Sequence, residues 1–509
     1  MRVLLVSANR EQIPDPIFPL GLAYIAAAVR QAGHRVEVAD LCFGRHPLRD
    51  LREQVAVFRP DVIGLSLRNV DNAAYPLTVD YLHLHREVID SLRQVSHAPI
   101  VLGGSGFSIL PEAYMDVLGA DWGIPGEGEQ VFVELLDALG RAQDPSGISG
   151  LVSRAHTSHA DSTPPAPVVA RRNRHWAQDL RPARDLFDYA RYVRRGGTGN
   201  MQTKRGCVFR CSYCTYPLLE GNRFRCREAG DVVDELEALQ RDYGTHPVFF
   251  VDSILNFPYG HVEALCTEIL RRNLDVSWSC YATPVKLDQQ QATLMARAGC
   301  QSIELGSDAA DDRQLRRLGK SFDAETVERA NRYCMNAGMN VCQTVLFGAP
   351  GETESSVRAT CRVLQRMQPT AVVAMTGVRL YPGTPLTRLL IEQGHVREQD
   401  IGLLPAFYID PAVADFLPGY LQQQAVAAGN WVLPGLAPPL LPSSQRILRG
   451  LGISGPLWRL LRKRWMHCFN RGKFRRPHTS WGVPNHNHSV FRPQVQVPRT
   501  RQREKHPHS

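Results

Sequence analysis

Met201–Tyr216 reads MQTKRGCVFRCSYCTY, with Cys207, Cys211 and Cys214 spaced C-x3-C-x2-C. Thiolates this close on one loop can point at a single inorganic centre, and soft sulfur suits an iron–sulfur cluster or zinc. A cubane cluster has four irons, so three cysteines leave one iron open, as a catalytic metal centre requires. Structural zinc would need a fourth ligand nearby, and the next cysteine, Cys226, lies twelve residues on.

Downstream, residues 196–395 repeat one pattern six times. Short apolar, β-rich runs at 201–204, 247–252, 276–281, 301–306, 341–347 and 372–380 predict strands. Runs with three-to-four apolar spacing at 228–242, 259–272, 288–298, 324–337, 353–367 and 385–393 predict the helices between them. Repeated βα units with short connections make a parallel barrel whose chemistry sits at the strand C-termini. The cysteine loop follows the first of these strands.

Upstream, residues 1–140 also alternate strand and helix, which predicts a doubly wound parallel sheet. Strands are expected at 3–8, 36–40, 62–67, 99–104 and 121–126, with helices among Leu20–Ala32, Pro76–Val95 and Gln130–Leu139. Gly and polar residues gather after the strands, at Asn9, Arg68–Asn72, Gly103–Gly106 and Gly126–Glu129. Open α/β sheets form their ligand crevice at such carboxyl ends. Residues 141–195 read as a linker, with Ser, Thr, Pro and Ala dominating 157–167.

The cysteine spacing, with aromatic Tyr213 before the last cysteine, resembles the radical S-adenosylmethionine superfamily. The N-terminal FPLGLAYIAAAVRQAGHRVEVAD, GGSGFSILPE and GEGE segments resemble the cobalamin-binding domain that precedes many such barrels, and the layout over residues 1–395 resembles the cobalamin-dependent family. The implied fold is a Rossmann-like parallel sheet, then a partial six-stranded (β/α) barrel, then an irregular C-terminal extension. The implied cofactors are a 4Fe-4S cluster on Cys207, Cys211 and Cys214, S-adenosylmethionine and cobalamin. Tyr213, Asp252, Ser253, Ser279, Glu304, Arg316, Lys320 and Gly348 fall on positions that would contact S-adenosylmethionine: Asp252 and Ser253 its amino group, Glu304 its ribose, Arg316 and Lys320 its carboxylate, Gly348 its adenine. Asn9, Ser66, Asn69, Gly103, Gly104, Gly126 and Glu127 would line the cobalamin site. The D-x-H-x-x-G signature that supplies an axial histidine in some relatives is absent; the first histidine is His34, in a helix-to-strand turn.

That resemblance implies C-methylation of an unactivated carbon in a small-molecule or lipid-like biosynthetic intermediate, through a 5′-deoxyadenosyl radical and methylcobalamin. A non-methylating cyclisation or rearrangement is the alternative. A one-electron reductant such as flavodoxin or ferredoxin is the implied partner.

Composition agrees with an enzyme of two or three domains. The 509 residues are 43% hydrophobic and 21% charged, and the twelve cysteines are scattered outside the triad, which suits a reducing cytoplasm. The net charge of +9 is confined to the end: residues 460–509 hold twelve Lys/Arg and one acid, leaving the body near neutral. A basic nucleic-acid-binding body is therefore not expected. No apolar run reaches the length of a membrane span, although GPLWRLLRKRW (455–465) has the make-up of a basic amphipathic helix for a membrane surface or a barrel cap. From Asn470 onward few core formers remain, and disorder is expected.

Overall fold

The structure, a computed structural model, describes residues 1–153, 170–172, 180–244, 247–436 and 442–462. The Ser/Thr/Pro/Ala-rich stretch, the basic tail from Asn470 and the last residues of 455–465 lie outside the described residues.

The N-terminal sheet runs β1 (Arg2–Ser7), β2 (Arg35–Asp40), β3 (Val62–Ser66), β4 (Ile100–Gly103), β5 (Trp122–Gly123) and β6 (Val152–Ser153), in spatial order β2-β1-β3-β4-β5-β6. The first five are parallel, and β6 pairs antiparallel with β5, so this sheet extends beyond residue 140 to Ser153. Strands β1 and β3 are buried on both faces, which explains their unbroken apolar runs. Helices α1 (Leu20–Gln31), α2 (Pro47–Phe58), α3 (Leu82–Arg93), α4 (Ser105–Ile109), α5 (Pro111–Leu118) and α6 (Glu129–Gly140) accompany them. Helix α3 starts six residues later than the sequence suggests, because residues 71–81 form a loop closed by an Asp71–Asp80 bridge.

The second sheet carries β7 (Gly199–Met201), β10 (Val248–Phe250), β11 (Trp278–Ala282), β12 (Cys300–Asp308), β13 (Asn340–Phe347), β14 (Ala371–Thr376) and β17 (Trp431–Val432). All neighbours are parallel, in sequence order from β7 at one edge to β17 at the other. The six expected barrel strands are present, and the extension adds β17 as a seventh. A small antiparallel pair, β8 (Lys204–Arg205) with β9 (Arg225–Cys226), carries the cysteine loop; a second, β15 (Val378–Arg379) with β16 (Phe407–Tyr408), follows β14.

One apolar core joins the two sheets: Phe18, Tyr24 and Cys42 pack with Tyr189, Met201 and Leu236. Polar contacts fix the same seam, with Asn200 Nδ2 donating to Phe18 O at 3.0 Å and Tyr192 OH to Asp40 Oδ2 at 2.8 Å. The carboxyl ends of the N-terminal strands thereby face the barrel. Residues 455–462 cross the opposite, N-terminal end of the barrel: Gly455 N donates to Gly197 O, just before β7, and the segment packs on β14. Trp458 points inward, not outward to a membrane surface. Among the described residues no helix is long and apolar enough to cross a membrane.

Candidate active site

The cysteine loop is tied down at both ends and in the middle. Cys207 N donates to Gly221 O (2.9 Å), Gly206 N to Glu220 Oε2 (3.0 Å) and Ser212 N to Leu318 O (2.9 Å). Gly206 has φ +92°, and a Cβ there would sit 2.0 Å from Arg223 O, so this turn requires glycine. Burial raises the pKa of Cys207 and pushes Cys214 up to about 12, and the nearby Cys211 thiol adds to both. Such desolvated sulfurs, with one cation beside them, fit an iron–sulfur cluster, whose metal takes them as thiolates. Cys226 stands apart, exposed on β9.

That cation is Lys320. It forms an ion pair with Asp308, reaches Gly306 O at 3.3 Å and lies beside Cys211; burial works against its charge, but Asp308 and Cys211 hold the ammonium above its ordinary value. Tyr213 donates to the same Asp308 carboxylate. Asp308 ends β12 at φ +63°, where a bulge turns it toward the cysteine loop. Sequence reading named Tyr213 and Lys320 but missed Asp308 between them.

The other expected S-adenosylmethionine contacts divide. Ser253 Oγ donates to Gly206 O at 3.1 Å, next to Cys207. Gly348 (φ +94°) opens the turn after β13, and its N–H donates to Glu352, whose carboxyl is buried and pushed up to about 8. Asp252 is fully buried and already accepts from Thr203 N (2.7 Å), Thr203 Oγ1 (2.6 Å) and Lys204 N (3.1 Å); it braces the chain below the loop. Ser279 is buried on β11 with no hydrogen-bond partner among the described residues. Arg316 lies exposed on the helix Asp312–Arg317. Glu304 sits four residues before the end of β12, paired laterally with Tyr281 and Cys342.

The expected cobalamin residues gather at the carboxyl edge of the N-terminal sheet, with two turned elsewhere. Ser66, Asn69, Gly103 and Gly104 follow β3 and β4, and Asn9 follows β1 with its Nδ2 buried and unpartnered. A Cβ on Gly104 or Gly106 would strike the backbone of Leu67 or Asn69 at 2.6 and 2.8 Å, so at these two glycines the edge is pressed backbone to backbone. A glycine-lined edge with an orphaned amide donor fits a broad, flat ligand rich in acceptors, such as a corrin. Gly126 bridges to Arg171, and Glu127 is taken up by Arg225 (2.8 Å) and Arg205 (3.2 Å). His34 sits beside the N-terminus at the far end of the sheet, so it supplies no axial ligand.

Between the two sheets, Tyr216 and Tyr281 keep 38% and 41% of their surface open although protein surrounds them, and so wall an internal chamber. Arg68, after β3, faces both phenols; burial lowers its pKa, and no carboxylate pairs with it among the described residues. Sequence reading placed Arg68 in a polar run without assigning it a role.

Residues 6–136 match the B12 binding domain family and residues 201–364 the Radical SAM superfamily. Tryptophan 2-C-methyltransferase of Streptomyces laurentii is 30% identical over 443 residues, spanning 76% of this chain and 74% of that one. An anaerobic magnesium-protoporphyrin IX monomethyl ester cyclase of Rubrivivax gelatinosus is 24% identical, over 77% and 70%. The solved structure of the radical S-adenosylmethionine methyltransferase TsrM from Kitasatospora setae, with tryptophan and an S-adenosylmethionine analogue bound, superposes with a TM-score of 0.79 at 28% identity, covering 92% of this chain and 99% of that one. With the cysteine loop, the glycine-lined edge and the chamber between them, this chain belongs to the cobalamin-dependent radical S-adenosylmethionine family, as an enzyme that methylates carbon with a 4Fe-4S cluster, S-adenosylmethionine and cobalamin.

Proposed function

We propose that the acceptor is a small, nitrogen-bearing aromatic compound of the tryptophan class, methylated at carbon, and that a flavodoxin- or ferredoxin-type protein supplies the electron. The chamber carries this reading: Tyr216 and Tyr281 offer aromatic walls, while Arg68 and Glu304 offer fixed polar groups. A lipid-like hydrocarbon would leave Arg68 with no carboxylate and Glu304 with only the Trp458 hydrogen bond, at a cost of several kcal/mol for buried charge. The tryptophan substrate of the two methyltransferase relatives agrees with it.

Bound at these positions, the cluster activates S-adenosylmethionine and the corrin carries the methyl group. The chain's own part is holding and exclusion. Cys207, Cys211 and Cys214 hold the cluster, and Asp308 locks Tyr213 and Lys320 against its loop. The edge after β3 and β4 seats the corrin, and the tyrosine walls keep water from the reacting carbon.

The test is product analysis of the reconstituted full chain with cobalamin, S-adenosylmethionine, reductant and L-tryptophan. Methylated product and S-adenosylhomocysteine are expected one for one. 5′-Deoxyadenosine in equal amount marks removal of hydrogen from a saturated carbon. A product without added carbon, formed with 5′-deoxyadenosine and no S-adenosylhomocysteine, overturns the reading in favour of cyclisation.

A further inference from the structure

Glu304 is a carboxylate the chemistry above does not use. It stands on β12 four residues before Asp308, about 13 Å deeper in the barrel at ~3.3 Å per residue. Trp458 reaches it from the barrel floor, Nε1 donating to Oε1 at 2.9 Å. Its other oxygen, Oε2, has no hydrogen bond or ion pair among the described residues. Burial raises the Glu304 pKa, and only the Trp458 hydrogen bond opposes that rise. Directly beside it, Tyr281 opens onto the chamber.

A half-buried acceptor with one neutral donor is incomplete. Buried carboxylates are ordinarily met by cations or by several N–H groups, because an unmet charge in a low-dielectric space is costly. Among the described residues nothing further completes this one. The indole of Trp458 contributes position as well as a proton: it holds the carboxylate in one rotamer and closes the space beneath it.

We propose that Glu304, held from below by Trp458, forms the floor of the substrate chamber and selects acceptors that carry an amine. This inference rests on the aromatic-substrate reading and assigns Glu304 to substrate in place of the ribose of S-adenosylmethionine. An ammonium meets Glu304 as a charge-assisted hydrogen bond, and the aromatic body of the same molecule stacks against Tyr281 and Tyr216.

Paired probes of matched shape test it on the reconstituted full chain: L-tryptophan against indole-3-propionate, and tryptamine against 3-ethylindole, by calorimetric titration. The wild type should bind each amine about tenfold or more tighter than its partner, a discrimination typical of a site built to hydrogen-bond its ligand. Glu304→Gln should erase that preference while leaving S-adenosylmethionine affinity within twofold. Trp458→Phe, which keeps the ring and removes the donor, should reduce the preference several-fold. If Glu304→Gln weakens S-adenosylmethionine instead, Glu304 is a ribose contact and the proposal falls while the substrate reading stands. Retention of the amine preference in Glu304→Gln also sinks it. Preferred binding of tryptamine without binding of L-tryptophan overturns the tryptophan class alone, and no binding of either amine overturns both.

Discussion

Replacing Cys207, Cys211 or Cys214 by alanine should abolish the brown iron–sulfur absorbance and S-adenosylmethionine cleavage, since these are the three thiols proposed to hold the cluster. Cys226→Ala retains both, because Cys226 sits exposed on β9 outside the loop. Iron analysis and absorbance spectra of the four variants check this, and loss of iron in Cys226→Ala would make it a fourth ligand. These cysteines were legible because eight consecutive residues, Cys207–Cys214, carry the whole pattern. Asp308 was not, although the segment IELGSDAA was noticed. Choosing between Glu304 and Asp308 needs the register of β12 and the bulge after Gly306, which no local pattern encodes. Asp252 misled for a related reason: its place after β10 is right, but its side chain turns back to the Thr203 and Lys204 amides.

Among elements, the turn after β13 has a measurable pH signature. Glu352 is 1% exposed, accepts the Gly348 N–H and titrates near 8, raised mainly by burial, against about 4.5 when unfolded. A raised carboxyl pKa means the native state holds its proton more tightly than the unfolded chain. Its contribution to stability is therefore full below pH 4.5 and is lost as pH rises toward 8, with a slope approaching ~1.4 kcal/mol per pH unit. Glu352→Gln keeps an acceptor for Gly348 and removes the ionisation. Its melting temperature should fall less than the wild type's between pH 5 and 8; parallel curves would show that Glu352 is ionised throughout. Five of the six barrel strands were legible from apolar run length and spacing; the first, expected at 201–204, lies at Gly199–Met201, and Lys204–Arg205 pair with Arg225–Cys226 instead. The seventh, Trp431–Val432, was not, because two residues carry no period and only the open edge of β14 makes them a strand.

At the scale of the whole molecule, buried ion pairs clamp the two sheets at two places. Glu127 and Glu129 of the N-terminal unit meet Arg205 and Arg225 beside the cysteine loop, with Arg205 Nη2 donating to Glu129 at 2.6 Å. Across the chamber, Arg379 on β15 donates to Asp71 at 2.8 Å, with side chains 5% and 0% exposed. Arg379→Met leaves Asp71 buried and unpaired, and should cost about 3–5 kcal/mol in denaturant unfolding. Asp71→Leu combined with Arg379→Met should recover most of that loss, since the second change removes the stranded charge. If the double variant is no more stable than Arg379→Met alone, the pair carries more than its own charge balance. These clamps join residues more than 70 and 300 positions apart, so the tethering of Glu127 by Arg205 and Arg225 was not legible in the sequence. The barrel floor has its own consequence, for biosynthesis. Residues 455–462 leave the ribosome after both sheets have emerged, so the nascent chain passes through a stage with a formed barrel and no floor. The cluster and corrin positions lie at the other, carboxyl end of the barrel, so a ribosome stalled before Gly455 would hold a protein able to take up its cofactors yet lacking the base of its substrate chamber.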